Sequence, residues 1–194
     1  MPLREDVLRI LRSGETRRIH FSFTATDGQI ISVNERVFAT VIDAIESDRI
    51  QIDWDHGQWR SDHRAPADAR YNSQHNYLLV RPGAPLQSRV LEALVIHECV
   101  HAFFDLRRRK LPNVDSEAAA YISQGCYLRT SGFDRNRLNQ GTDNEVLTGM
   151  LIADGIAMQH GVPGARLDEL RSSLRSNRAY QRNGYISGLF RGNG

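Results

Sequence analysis

Residues 93–104 form an apolar run in which Glu98 is the single charged residue. An apolar run of this length is typical of a helix that is buried on all sides. His97 and His101 are four residues apart in it, so both imidazoles lie on one helix face and can bind the same metal ion. Glu98 lies about 100° round the helix axis, where it can hold a water at that metal without binding the ion itself. The run therefore predicts a buried helix at the floor of a cleft, with a metal site on it.

Composition and charge favour one ordinary globular domain. The 194 residues are 40% hydrophobic and 25% charged, and the net charge of +2 gives no general attraction to nucleic acid. Two cysteines, Cys99 and Cys126, are too few for a disulfide framework. The first six residues lack the apolar core of a signal peptide, and no apolar stretch is long enough to span a membrane. We expect a cytoplasmic chain without membrane association, although export as an effector without a signal stays open.

The first 85 residues are expected to mix helices and strands. Apolar spacing predicts a helix over 2–12, and the Asp27-Gly28 turn predicts a hairpin between strands 18–23 and 29–33. Asn34 can cap a helix that reaches about residue 47. Two further strands are expected over 49–54 and 76–81, and residues 55–69 between them are expected to form an irregular loop.

Residues 86–182 are expected to be mostly helical, within the same single domain. The predicted helices cover 86–109, then from a cap at Asp115 or Ser116 to about 129, then 143–160 and 167–180. Residues 111–114 break the first of these helices, and 132–141 should form a polar loop. The glycine-rich residues 183–194 are expected to be a flexible tail. The fold class is therefore α+β.

A catalytic zinc ion has three protein ligands and one open position, so a third ligand is needed. Glu117 is the leading candidate, because it lies 16 residues after His101 in the first turn of the next predicted helix. The small residues 118–120 would let that helix pack closely on the first. Asp105, one turn beyond His101, is an alternative ligand or an orienting group, and Asp115 or another histidine also remains open.

These residues resemble the zincin metallopeptidases, and within them the gluzincins, whose third zinc ligand is a glutamate. The resemblance covers about residues 76–130 and rests on His97, Glu98 and His101, followed by the segment 116–120. It implies a zincin-like fold with a small N-terminal sheet packed on the active-site helix. It also implies that strand 76–80 lies antiparallel to bound substrate. Tyr121 stands where the thermolysin-like pattern has an aspartate, and Arg107 stands where metzincins have a third histidine.

The function that the resemblance implies is zinc-dependent hydrolysis of peptide bonds, on a dedicated protein or peptide substrate. Glu98 would be the general base, and Zn²⁺ would be held by His97, His101 and Glu117. Tyr121 is the first candidate to stabilise the oxyanion, because it lies one turn from Glu117 on the same face; His75 and His160 are the others.

Two alternatives belong to other functional classes. One is a catalytically silent zincin-fold binding protein with structural zinc, although such a site does not need Glu98. The other is a nucleic-acid binder that uses the arginines of 166–182, which the near-neutral net charge disfavours. The basic run 107–110 suits the negative end of the preceding helix. Oligomeric state is not predicted.

Overall fold

The computed structural model describes residues 2–54, 68–139, 143–159 and 161–192. The elements of the N-terminal part are α1 (Pro2–Leu11), α2 (Gly14–Arg17), β1 (Phe21–Thr24), β2 (Ile30–Val33), α3 (Glu35–Glu46), β3 (Gln51–Trp54), β4 (Ala69–Asn72) and β5 (Tyr77–Val80). The hairpin turns at Gly28, whose positive φ of 84° suits glycine, and the Asn34 side chain accepts the backbone N–H of Arg36. The predicted first helix, hairpin and cap are confirmed, whereas β4 was not predicted. Most of the predicted irregular loop, residues 55–67, lies outside the described residues.

The strands form small separate sheets. The β1–β2 hairpin is antiparallel, and a second sheet has the order β3-β5-β4, in which β5 is parallel to β3 and antiparallel to β4. The predicted strand 76–81 therefore exists as β5, but it occupies the centre of its sheet. Both of its edges are already paired, so its predicted role beside an extended substrate is wrong. Among the described strands, β4 is the edge strand that packs against the helix carrying His97 and His101.

The C-terminal part is mostly helical, as predicted. Its elements are α4 (Arg89–Leu106), β6 (Lys110–Pro112), α5 (Asn113–Thr130), a short 3₁₀-helix (Arg135–Arg137), α6 (Asn144–Gln159), α7 (Gly164–Ser176), α8 (Arg178–Gln181), a second 3₁₀-helix (Arg182–Ser187) and β7 (Leu189–Arg191). The helix α5 begins at Asn113, so the predicted cap at Asp115 or Ser116 is wrong. Asp115 instead accepts hydrogen bonds from Arg171 and Thr26, which join the start of α5 to α7 and the hairpin. No helix among the described residues has both the length and the apolar character needed to cross a bilayer.

The helix α4 is buried on all sides, as its sequence predicts. It packs against α1, α3, α5 and β4, and Cys99 is fully buried in the core. Glu92 anchors its first turn, because this buried carboxylate accepts hydrogen bonds from Arg9 and Arg89 at 3.1 and 2.8 Å and from the Tyr127 hydroxyl at 3.0 Å. The position of the two histidines is therefore set by a helix held at several surfaces.

Two glycines allow α5 and α6 to lie unusually close together. A Cβ atom on Gly125 would collide with the backbone of Gly149, and one on Gly149 would collide with the backbone carbonyl of Tyr121. Residues 118–120, which were expected to permit close helix packing, are fully buried alanines. The close approach fixes the face of α5 that carries the site residues.

The C-terminal segment, which was predicted to be a flexible tail, contains a strand and lies against the domain. Its last strand, β7, pairs antiparallel with β6, and Asn113 donates its backbone N–H to the Gly188 carbonyl at 3.0 Å. Ile186 is buried, and the Phe190 ring packs on Phe104. The flexibility of the segment stays a prediction, while its apolar side chains between the glycines contact the domain.

Candidate metal centre

Three side chains meet where α4 crosses the start of α5. The Nε2 atoms of His97 and His101 are 3.3 Å apart, and the Glu117 carboxylate oxygens lie 3.5 Å from His97 Nε2 and 3.6 Å from His101 Nε2. All three side chains are buried, and together they form a cluster that could hold a metal ion. The structure thus brings together the three residues that the sequence predicted as ligands.

The helix α5 orients both imidazoles. His97 Nδ1 lies 3.1 Å from Gln124 Oε1, and His101 Nδ1 lies 3.1 Å from Ser116 Oγ. Because an amide oxygen only accepts, His97 donates from Nδ1, and the lone pair of its Nε2 faces the cluster. Such partners fix the tautomer and direction of metal-binding histidines. The role of Gln124 was not predicted from the sequence, although this residue lies two helical turns after Glu117 on the same face.

The geometry of the donor atoms fits a zinc ion. Two nitrogens bound to a tetrahedral zinc ion at about 2.0–2.1 Å are separated by about 3.3–3.4 Å. The observed separations of 3.3, 3.5 and 3.6 Å are close to that value. Two imidazoles and one carboxylate are also a donor set typical of catalytic zinc, since they leave the fourth position open. The described residues therefore fit the metal that the sequence motif implies.

Two tyrosines of the C-terminal segment hold the Glu117 carboxylate. Tyr180 donates its hydroxyl to Oε2 at 3.1 Å, and Tyr185 donates to Oε1 at 2.9 Å. Burial opposes ionisation of Glu117, but the charge and hydrogen bond of His101, and then those of His97, keep its pKa well below the usual value. Neither tyrosine was identified from the sequence, because both lie in segments distant from the motif. Glu117 is thus held ionised and oriented, as a metal ligand would need to be.

The Tyr121 hydroxyl, which was predicted to stabilise an oxyanion, is hydrogen-bonded to another tyrosine. Its ring packs edge-on against His97 with centroids 4.6 Å apart, and its hydroxyl lies 2.8 Å from that of Tyr180. Because Tyr180 donates to Glu117, Tyr121 donates to Tyr180, and its proton is already engaged. Of the other oxyanion candidates, His75 is exposed in the turn between β4 and β5, and His160 lies outside the described residues.

Glu98 lies beside the three ligands, at the wall formed by β4. Its Oε2 accepts the backbone N–H of Tyr71 at 2.7 Å, which leaves the other oxygen for proton transfer. Removal from water raises the pKa of this carboxyl, despite the opposing charges of His97 and His101. A raised pKa suits a group that must take up and release a proton near neutral pH.

Asp105 and Asp115, the alternative ligands, have other roles. Asp105 is fully buried and accepts the Tyr71 hydroxyl at 2.7 Å, so it supports the strand that holds Glu98. Asp115 forms a buried ion pair with Arg171 at 2.7 Å. Within the described part of the chain, the metal-ligand cluster contains Glu117 and neither aspartate.

The cluster opens into a cleft of about 780 Å³. One wall is the edge strand β4 with the turn that follows it, and the other wall comes from the C-terminal segment, including Tyr180, Tyr185 and Phe190. The Phe190 ring also stacks on His101 with centroids 6.1 Å apart. A volume of this size is within the usual range of ligand-binding clefts.

No protein-family model, no curated protein and no solved structure matches the chain. The structure itself shows the α+β architecture and the cluster of His97, His101 and Glu117.

Proposed function

We propose that the protein is a zinc-dependent metallopeptidase of the gluzincin type, which hydrolyses peptide bonds. The observation that carries this proposal is the convergence of His97, His101 and Glu117 at separations that suit tetrahedral zinc, with Glu98 beside them. A purely structural zinc site would need neither a free carboxylate at this position nor an open cleft.

His97 Nε2, His101 Nε2 and a Glu117 oxygen would hold the ion. When bound, zinc supplies a Lewis acid that polarises a carbonyl group and lowers the pKa of a water. Glu98 accepts the proton of the attacking water and then passes it to the departing amine. The Tyr71 N–H keeps the carboxylate aligned through both transfers. Gln124 and Ser116 hold the two imidazoles in place.

The cleft supports a peptide as substrate. Its wall includes β4, which is an edge strand of its sheet, and among the described strands only β5 pairs with it. An extended peptide can pair with such an edge through backbone hydrogen bonds, so that its scissile carbonyl lies near the metal. In this proposal the strand that pairs with the substrate is β4, which was not predicted from the sequence.

Zinc content and hydrolysis test the proposal in two steps. Purified wild type is expected to contain about one zinc per chain by elemental analysis, whereas Glu117→Ala should lose most of it. Asp105→Asn is the matched control and should retain zinc, because Asp105 lies outside the ligand cluster. Zinc absent from the wild type after addition of metal would refute the proposed site.

The second step measures cleavage of a mixture of random synthetic peptides by mass spectrometry. Wild type with zinc should cleave a subset, and Glu98→Gln should keep the zinc and the fold but lose the cleavage. Zinc binding by the wild type with no cleavage of any peptide would instead favour the catalytically silent binding protein. Undiminished cleavage by Glu98→Gln would exclude Glu98 as the general base.

A further inference from the structure

Glu145 is a buried carboxylate on the wall of the same cleft. It lies in the first turn of α6 and is only 6% exposed. Its Oε1 accepts the Ser173 hydroxyl at 2.9 Å and the Asn177 side-chain amide at 3.0 Å. Both donors are neutral and both bind the same oxygen, so neither supplies a positive charge to this carboxylate.

Two other buried carboxylates of this protein have arginine partners. Glu92 is paired with Arg9 and Arg89, and Asp115 is paired with Arg171. None of the ion pairs among the side chains that the structure describes includes Glu145. Burial of an ionised carboxylate without a cation is costly, because neutral hydrogen bonds replace only part of its hydration. A cationic group that enters the cleft would remove this cost.

Glu145 lines the same cleft as His97, His101 and Glu117. Tyr121, whose ring packs on His97, also lines this cleft. Asn177, which binds Glu145, also lines the cleft, and its side chain accepts the backbone N–H of Ala179 at the start of α8. Tyr180 on that helix contacts Glu117. A short chain of contacts therefore connects Glu145 to the third ligand.

We propose that Glu145 is a substrate subsite for an ammonium or guanidinium group next to the scissile bond. The inference rests on the proposed peptidase function and specifies its substrate class. The cation comes from a lysine or arginine side chain or from the free amino terminus of the peptide. Asn177 and Ser173 hold Oε1, and the substrate cation neutralises the carboxylate from the cleft.

Binding of small hydroxamates, which chelate zinc, tests this subsite without relying on turnover. We would titrate zinc-loaded protein calorimetrically with three compounds. Nα-acetyl-lysine hydroxamate carries a side-chain cation, norleucine hydroxamate carries an α-ammonium group, and Nα-acetyl-norleucine hydroxamate carries neither. At least one cationic compound should bind about 10- to 100-fold more tightly than the neutral one, as expected for a charge-assisted hydrogen bond in a buried site. The compound that gains affinity identifies the source of the cation.

The variant Glu145→Gln should remove most of that preference. Glutamine keeps an oxygen that can accept from Ser173 and Asn177, so the fold and zinc content should be preserved. Glu169→Gln, which removes an exposed carboxylate paired with Arg166, is the control for net charge and should keep the preference. Equal binding of the three compounds to the wild type would overturn the proposed subsite but would not contradict the proposed metal centre. A cation preference that survives in Glu145→Gln would also overturn it. Failure of all three compounds to bind zinc-loaded protein would refute the proposed function itself, and the subsite with it.

Discussion

Replacement of Tyr185 by phenylalanine tests whether the C-terminal segment is part of the proposed metal site. The hydroxyl of Tyr185 donates to Glu117 Oε1 at 2.9 Å, while Tyr180 donates to Oε2 at 3.1 Å. Tyr185 is held in place by the β6–β7 pairing and by Asn113, whose side-chain amide donates to the Tyr185 carbonyl at 2.5 Å. The substitution deletes one hydrogen bond to the ligand and leaves the ring in place.

The expected effect is about a 10-fold loss of zinc affinity, or about 1.4 kcal/mol. Groups that orient metal ligands contribute about 10- to 100-fold to affinity. We expect the lower end for Tyr185→Phe because Tyr180 still holds the other oxygen and Tyr185 is only half-buried. The loss arises because the carboxylate must then be ordered when zinc binds, whereas in the wild type it is already oriented.

The zinc dissociation constant can be measured by competition with a chromogenic chelator. Tyr77→Phe is the matched control, since Tyr77 is a half-buried tyrosine on β5 outside the cleft, and it should bind zinc like the wild type. Circular dichroism would confirm that both variants are folded at the assay temperature. Wild-type zinc affinity in folded Tyr185→Phe would refute the argument that this hydroxyl orients the ligand.

Two further predictions concern the scaffold. Burial opposes ionisation of Glu92, but hydrogen bonds from Arg89, Arg9 and Tyr127 lower the pKa of this carboxyl. The ionised Glu92 therefore stabilises the fold at pH values above the unfolded pKa of about 4.5, and this stabilisation is lost as the pH falls through the folded pKa. Glu92→Gln should therefore flatten the acid-induced loss of unfolding free energy in urea titrations, and an unchanged pH profile would contradict this. Gly149→Ala should lower the unfolding free energy by about 1–3 kcal/mol, because its Cβ would overlap the Tyr121 carbonyl. Gly164→Ala, where the Cβ meets open space, is the control, and equal stability of the two variants would contradict the close packing of α5 and α6.

Local sequence patterns determined most of the elements and part of the site. The turn at Gly28, the cap at Asn34 and the buried helix α4 follow from the preferences of a few neighbouring residues, and the structure has them within about three residues of the prediction. The pairing of His97 with His101 is equally local, because a four-residue spacing places both on one helix face. Glu117 could be predicted because only a short connection separates its helix from α4.

The groups around the three candidate ligands could be identified only from the tertiary structure. Tyr180 and Tyr185 contact Glu117 across 63 and 68 residues of sequence, and the edge position of β4 depends on how three separate strands pair. Such contacts depend on where the chain returns after several helices, which no local spacing encodes. The position of the C-terminal segment on the wall of the cleft could not be predicted for the same reason, because Phe190 and Ile186 pack on residues from other segments of the chain.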